Sequence, residues 1–411
     1  MAMLRPHLCW QSGIVERELS FAASPYGSAI SQSGDCVNEH VEETPAKALF
    51  MSGEQRPEAK GRGAHASPPN RFGQVHAEAD LEHVEHDEEY LEDLRTLKTQ
   101  YLPDDSRSIV SKNDSPDLNF NYSLNPYRGC LHGCSYCYAR PTHEYLGLNA
   151  GLDFESKIFV KERAPELFRD FLARGDWNPE LIAFSGITDC YQPIEREYRL
   201  TRQCLEVAAE ARQPIGMVTK NALVTRDLDV LSEMARHRVI TVAMSVTTLD
   251  AELARTMEPR TSTPDARLRA ISELASANVP VSVLIGPVIP GLNDSEIPAI
   301  LQAASEAGAK QASWTLLRLP LAVRPIFEDW LARVRPLDQE RVESRIRSCR
   351  EGNMSDASFG SRQRGSGQIA EQISQTFRIF AAKHGLDRGI DRLDCSGFRP
   401  PRPSSGQLRL F

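Results

Sequence analysis

The sequence predicts a parallel α/β fold, a partial (β/α)6 TIM-like barrel, and three observations predict it. Between residues 118 and 335, short apolar runs alternate with amphipathic stretches. The runs are almost continuously apolar, as strands covered on both faces should be. Polar, chemistry-bearing residues gather at the C-terminal ends of these runs, where barrels of this kind keep their sites.

The units follow one another with short links. A first strand falls around Phe120–Leu124. LIAFSGI (181–187) is a strand and EYRLTRQCLEVAAEA (197–211) a helix, then PIGMVTK (214–220) and the helix RDLDVLSEMARH (226–237). VITVAMSVTT (239–248) precedes PDARLRAISELASAN (264–278), and VPVSVLIGPVI (279–289) precedes SEIPAILQAASEAG (295–308). QASWTLLRL (311–319) and PIFEDWLARV (325–334) close the series. Six units fall short of a full (β/α)8 barrel, so the sheet should stay open.

The flanks divide by composition. Residues 1–57 lack a sustained period and read as a disordered extension. Residues 58–117 hold a basic loop, GRGAHASPPNRF (Gly61–Phe72), and an acidic stretch (His76–Leu94) that suits a solvated linker or, with its histidines, a metal. Residues 336–396 read as a helical appendage interrupted by FGSRQRGSG (359–367). Residues 397–411 read as a flexible tail, GFRPPRPSSG and then QLRLF.

With 41% hydrophobic and 25% charged residues, the 411-residue chain is neither collagen-like, wholly disordered nor a disulfide scaffold. No apolar run reaches the ~18 residues of a membrane span, and the N-terminus lacks the pattern of a secretion signal. A cytoplasmic setting without a membrane is therefore expected. The net charge of −8 is uneven: residues 1–100 carry 9 basic against 17 acidic residues, residues 341–411 carry 13 against 7. The basic end could face a polyanion, or simply solvate a surface.

Three of the nine cysteines fall together, in NPYRGCLHGCSYCYAR (Asn125–Arg140), spaced C-x3-C-x2-C at Cys130, Cys134 and Cys137. Thiolates suit iron–sulfur clusters or zinc. Three of them leave one corner of a four-iron cluster free for a chelating cofactor. Gly129 and Gly133 allow a tight wrap. The alternative is a structural zinc site with His132 or His143 as fourth ligand, although no second C-x2-C knuckle is present.

C-x3-C-x-aromatic-C, with Tyr136 as the aromatic, placed after a first barrel strand, resembles the radical S-adenosylmethionine superfamily. The resemblance implies a [4Fe–4S] cluster on the three cysteines and S-adenosylmethionine chelated to the fourth iron. It implies further that reductive cleavage yields a 5′-deoxyadenosyl radical that abstracts a substrate hydrogen. Ser185, Thr188 and Asp189 in SGITDCYQPIE then supply acceptors for the cofactor ammonium. Lys220 in VTKN and Arg260 in MEPRT are candidates for its carboxylate, and Ser245 and Thr247 in MSVTT for ribose or carboxylate.

The set SGITD, VTK, MSVTT, EPR and GPVIPGLND, over about residues 60–383, is similar to the spore photoproduct lyase-like branch and its uncharacterised bacterial group. That branch reads Thr-Asp-Pro-Tyr-Gln-Pro-Ile-Glu where this chain has Cys190 for the proline. The resemblance implies a carbon–carbon lyase in DNA lesion repair, with Cys190 a candidate hydrogen donor; a buried, inert thiol is the other reading. Tyr191, Trp314 and Arg318 are candidates for supporting a flipped base. Such chemistry calls for an electron donor such as flavodoxin or ferredoxin. QLRLF resembles the bacterial sliding-clamp docking peptide, with Gln407 as polar anchor and Leu408, Leu410 and Phe411 filling apolar pockets. RNA, a protein or a metabolite is the alternative substrate, and a zinc-bound, clamp-tethered adaptor the non-catalytic alternative.

Overall fold

In the computed structural model, which describes residues 61–72 and 98–404, a seven-stranded sheet runs in the order β10-β9-β8-β7-β6-β3-β2. Six strands are parallel: β3 (Tyr122–Leu124), β6 (Ile182–Phe184), β7 (Ile215–Thr219), β8 (Ile240–Ser245), β9 (Val281–Val288) and β10 (Gln311–Leu316). They are the six strands read from the sequence. β2 (Val110–Lys112) adds to β3 in antiparallel register, Val110 opposite Leu124, so the sheet begins ahead of the expected boundary at 118. Loops following β2 and β10 line a common cavity, which means that the open sheet curls its two edges toward one another. A second sheet, in the order β1 (Gln100–Pro103), β5 (Lys157–Val160) and β4 (Tyr127–Arg128), escaped the sequence pattern because its strands are only two to four residues long.

The connecting helices bury the faces their period marks. Helix Leu200–Ala211 turns Thr201, Cys204, Leu205 and Ala208 into the core against Ile182 and Ile215. Helix Pro264–Ser276 starts on Thr263, whose hydroxyl accepts from Ala266 N at 3.3 Å, with Pro264 in the first turn. It buries Ala270, Ile271 and Leu274. At ~1.5–3 kcal/mol for each large apolar side chain, these helix–sheet contacts dominate the stability of the unit.

The C-terminal region is not an appendage. Helix Gly367–Lys383 places Ala370, Ile373 and Ala381 in the main core, and the segment around it covers the outer edge of β10. Ala312 N donates to Leu386 O at 3.0 Å and Leu316 N to Gln363 O at 2.9 Å, which protects an otherwise open strand edge. The residues from 397 are pinned rather than free as far as they are described. Arg399 N donates to Ala211 O at 2.8 Å, and Ser404 N and Oγ reach Asp170 at 2.8 Å. The expected extension 1–57, the acidic stretch His76–Leu94 and the pentapeptide Gln407–Phe411 lie outside the described residues. Among the described residues no helix is long and apolar enough to cross a membrane.

Candidate active site

The cysteine loop follows β4 and is held in place mainly by backbone partners. Cys130 N donates to Phe154 O at 3.0 Å, and Ser135 N to Met257 O at 3.0 Å. Gln192 clamps its base, accepting from Leu131 N at 2.9 Å and donating to Gly129 O at 3.1 Å. Arg140, fully buried, spans the loop from behind: Nε donates to Cys134 O and Nη2 to Gly133 O, both at 3.0 Å. Its charge is met by Glu155 Oε2 at 2.9 Å, and neither side chain is exposed. Glu155 also accepts from Gly63 N at 3.3 Å, so the GRGA segment docks directly beneath the loop. A side chain at Gly63 would put its Cβ 1.7 Å from the Gly133 carbonyl oxygen, which makes glycine obligatory there.

Cys130, Cys134 and Cys137 all line a cavity of about 380 Å³ at the C-terminal ends of the sheet strands. Burial pushes all three thiols up, Cys130 to about 12, so a thiolate there needs a cation beside it. Bound iron would supply that charge. Among the described residues no three His, Cys, Asp or Glu side chains are grouped for a single metal ion. A four-iron cluster asks for less convergence, since each thiolate meets a separate iron. The two histidines considered for zinc have other partners. His132 Nδ1 lies 3.5 Å from Asp189 Oδ2 and its Nε2 3.3 Å from Asn221 Nδ2, while His143 Nε2 lies 2.9 Å from Lys157 O. The residues present therefore fit an iron–sulfur cluster.

The structure sorts the cofactor candidates. Tyr136, Ser185, Thr188, Asp189 and Lys220 line the cavity with the cysteines. Several have committed their polar atoms. Tyr136 donates its hydroxyl to Glu258, leaving the ring face toward Lys220 Nζ, 5.7 Å from its centroid. Thr188 donates to Tyr127 O at 2.9 Å. Ser185, at φ 67°, accepts from Cys190 N at 2.8 Å. Asp189 accepts from Thr219 Oγ1 and from Lys220 N, both at 2.8 Å, and so orients the end of β7 more than it offers a free carboxylate. Lys220 is the cation left facing the cysteine loop.

Four expectations are corrected. Ser245 and Thr247 are buried outside the cavity, Ser245 donating to Gly286 O at 3.2 Å and Thr247 to Glu258 at 2.7 Å. Arg260 is exposed and outside the cavity, its backbone N–H donating to His132 O at 3.3 Å. Cys190 is fully buried in the main core and does not line the cavity, which fits the buried, inert thiol better than the hydrogen donor. Of the three residues considered for a flipped base, Tyr191 is buried on Asp227 at 3.0 Å and Trp314 is buried in the core. Arg318 alone faces the cavity.

The sequence missed Glu258. Buried beneath the cavity wall, it accepts from Tyr136 and Thr247 and pairs with Arg267, itself buried and donating to Ser245 O at 3.0 Å. Nearby cations, Arg267 and Lys220, hold its carboxyl below the usual range against the opposing effect of burial. Asn125 was missed too; its Oδ1 accepts from Ile187 N at 3.0 Å and Thr188 N at 3.3 Å, fixing the loop after β6.

Residues 124–304 match the family model described as Radical SAM superfamily. An uncharacterised protein of Mycobacterium tuberculosis is 38% identical over 221 residues, covering 53% of this chain and 65% of its own length. One from Methanocaldococcus jannaschii is 30% identical over 175 residues, covering 43% of this chain and 63% of its own. The match thus extends over just under two thirds of these relatives. In fold, the chain is similar to spore photoproduct lyase complexed with dinucleoside spore photoproduct, with TM-score 0.51, 16% identity, and 69% of this chain and 79% of that one covered. A variant of that lyase with bound AdoMet and dinucleoside spore photoproduct gives TM-score 0.52 at 17% identity, covering 77% and 85%.

Proposed function

We propose, from a chain whose residues 124–304 form a domain of the radical S-adenosylmethionine superfamily, that this protein is a radical enzyme acting on a DNA lesion. The observation that carries the chemistry is the convergence of Cys130, Cys134, Cys137 and Lys220 on one cavity at the strand ends. In this superfamily the cofactors are a [4Fe–4S] cluster and S-adenosylmethionine, and once bound and reduced they supply a 5′-deoxyadenosyl radical for hydrogen abstraction. The three cysteines would hold the cluster, and Lys220 the cofactor carboxylate by a charge-assisted contact. Asp189, through the Lys220 backbone and Thr219, fixes where that ammonium stands. Ile187, Val218 and Leu284 give the cavity an apolar wall, against which a bound cofactor would displace water.

The fold shared with spore photoproduct lyase supports DNA as substrate and a lyase-type outcome, in a cytoplasmic setting. A one-electron donor such as flavodoxin or ferredoxin, and sliding-clamp docking through Gln407–Phe411, complete the proposal. Because the tail is anchored up to Ser404, any such docking relies on residues 405–411. Anaerobically reconstituted protein, given dithionite and S-adenosylmethionine, should form 5′-deoxyadenosine, and more of it with ultraviolet-irradiated DNA than with undamaged or no DNA. Loss of dimer lesions should accompany the rise. Formation indifferent to DNA would reject the lesion and send the search to RNA, protein or metabolite substrates.

A further inference from the structure

The wall of the cavity at β10 carries a cation that the cofactor does not require. Arg318, just past β10, lines the cavity 5.9 Å from the centroid of the Tyr138 ring. Its Nε is buried with no hydrogen-bond partner, and among the described residues no carboxylate pairs with its guanidinium. The acids nearby are already occupied. Asp117 accepts from Gly360 N at 2.6 Å and pairs with Arg362; Asp356 accepts from Ser358 N at 2.7 Å and from Ser361.

The segment that brings these groups together is FGSRQRG, which the radical chemistry leaves without a role. Arg362, anchored on Asp117 and Ser115, lines the same cavity with its guanidinium 4.3 Å from the Phe359 ring, and Phe359 is 60% exposed. Arg364 stacks on Trp314 at 4.6 Å, and Arg350 donates to Leu317 O at 2.7 Å. Two guanidinium groups, Arg318 and Arg362, thus stand on the cavity wall beside the exposed rings of Tyr138 and Phe359, with Arg350 buried behind them. Cations alternating with exposed aromatic faces are the surface that grips a phosphodiester backbone while stacking its bases. S-adenosylmethionine has one carboxylate, which the reading above gives to Lys220 by the cysteine loop. On that reading Arg318 is left over for an anion of another kind.

We infer that Arg318 receives a phosphodiester oxygen of a nucleic-acid strand entering the cavity, on a wall held in place by Arg362 and the 358–363 loop. The assignment rests on the nucleic-acid reading above. A half-buried guanidinium whose Nε is buried and unpartnered gains most from an oxyanion able to accept two parallel N–H bonds.

The test uses the reconstituted full chain and fluorescein-labelled hexathymidylate, as phosphodiester and as its uncharged methylphosphonate. Wild type should bind the phosphodiester more tightly. Arg318→Gln should shrink that preference by about tenfold or more, the worth of a charge-assisted hydrogen bond, and leave methylphosphonate affinity in place. Arg318→Lys should retain part of the preference, which separates lost charge from misfolding, with circular dichroism and iron content as folding controls. Equal binding of the two probes by wild type, or a full preference in Arg318→Gln, would overturn the assignment. So would a loss shared by both probes. Cofactor cleavage scored on the same preparations keeps the two proposals apart. Preference without cleavage supports this site and fells the radical chemistry, whereas cleavage without preference does the reverse.

Discussion

Cys190 and Cys130 show how much burial alone leaves undecided about a thiol. Both are buried, but Cys190 packs among core residues whereas Cys130 opens on the cavity. Cys190→Ala should therefore cost about 1–2 kcal/mol of stability, as a small core truncation does, and leave 5′-deoxyadenosine formation unchanged. Alanine at Cys130, Cys134 or Cys137 should abolish iron retention, read by elemental analysis after reconstitution. Glu258 supplies a second contrast. Replacing it with Gln leaves Arg267 as an uncompensated buried charge, a loss of about 3–5 kcal/mol in urea unfolding. Replacing both with apolar residues of similar volume should recover most of that loss. The motif MEPRT contains both Glu258 and Arg260, and the sequence alone favoured the arginine as a carboxylate ligand. Only the end of helix Ala251–Met257 decides which of two residues in one turn faces inward. No periodic signal carries that choice.

At the scale of elements, the six parallel strands were legible because each is an apolar run bounded by turns, and five of the helices because their apolar faces repeat. The small sheet, the antiparallel β2 and the docked GRGA segment were not. Their order comes from long-range partners: Gly63 is defined by Gly133, and Glu155 lies 92 positions away. Composition at 336–396 and 397–406 suggested an appendage and a free linker for the same reason, since neither pattern records the β10 edge or Asp170. Gly63→Ala should expel the segment from beneath the cysteine loop and lower iron retention, measured against wild type after gel filtration. The turn after β3 offers a pH reading. Lys161 Nζ donates to Asn125 O at 3.0 Å, and burial, reinforced by Arg128, draws its pKa down to about 8. Between pH 8 and the unfolded value of about 10.4, the unfolded chain binds a proton that the folded one does not. This contribution to stability therefore rises with pH across that window, and Lys161→Met should flatten the rise in urea midpoints taken from pH 7 to 10.

For the whole molecule, the open curl of the sheet creates one cavity with cysteines on one wall and arginines on another. The cofactor end follows from a motif that sequence alone can carry, because three thiols at fixed spacing bind wherever the loop wraps tightly. The end proposed above for substrate is lined by Ser115, Arg318 and Arg362, which are brought together only by closure of the fold. The central claim is that this cavity holds a cluster with one open iron and cleaves S-adenosylmethionine there. The most direct measurement is iron and acid-labile sulfide per chain on anaerobically reconstituted protein, paired with 5′-deoxyadenosine formed after dithionite reduction. The account predicts close to four of each per chain, and nucleoside formation that disappears in each of the three cysteine variants. Zinc in place of iron, with no nucleoside formed, would contradict it and leave a metal-bound adaptor.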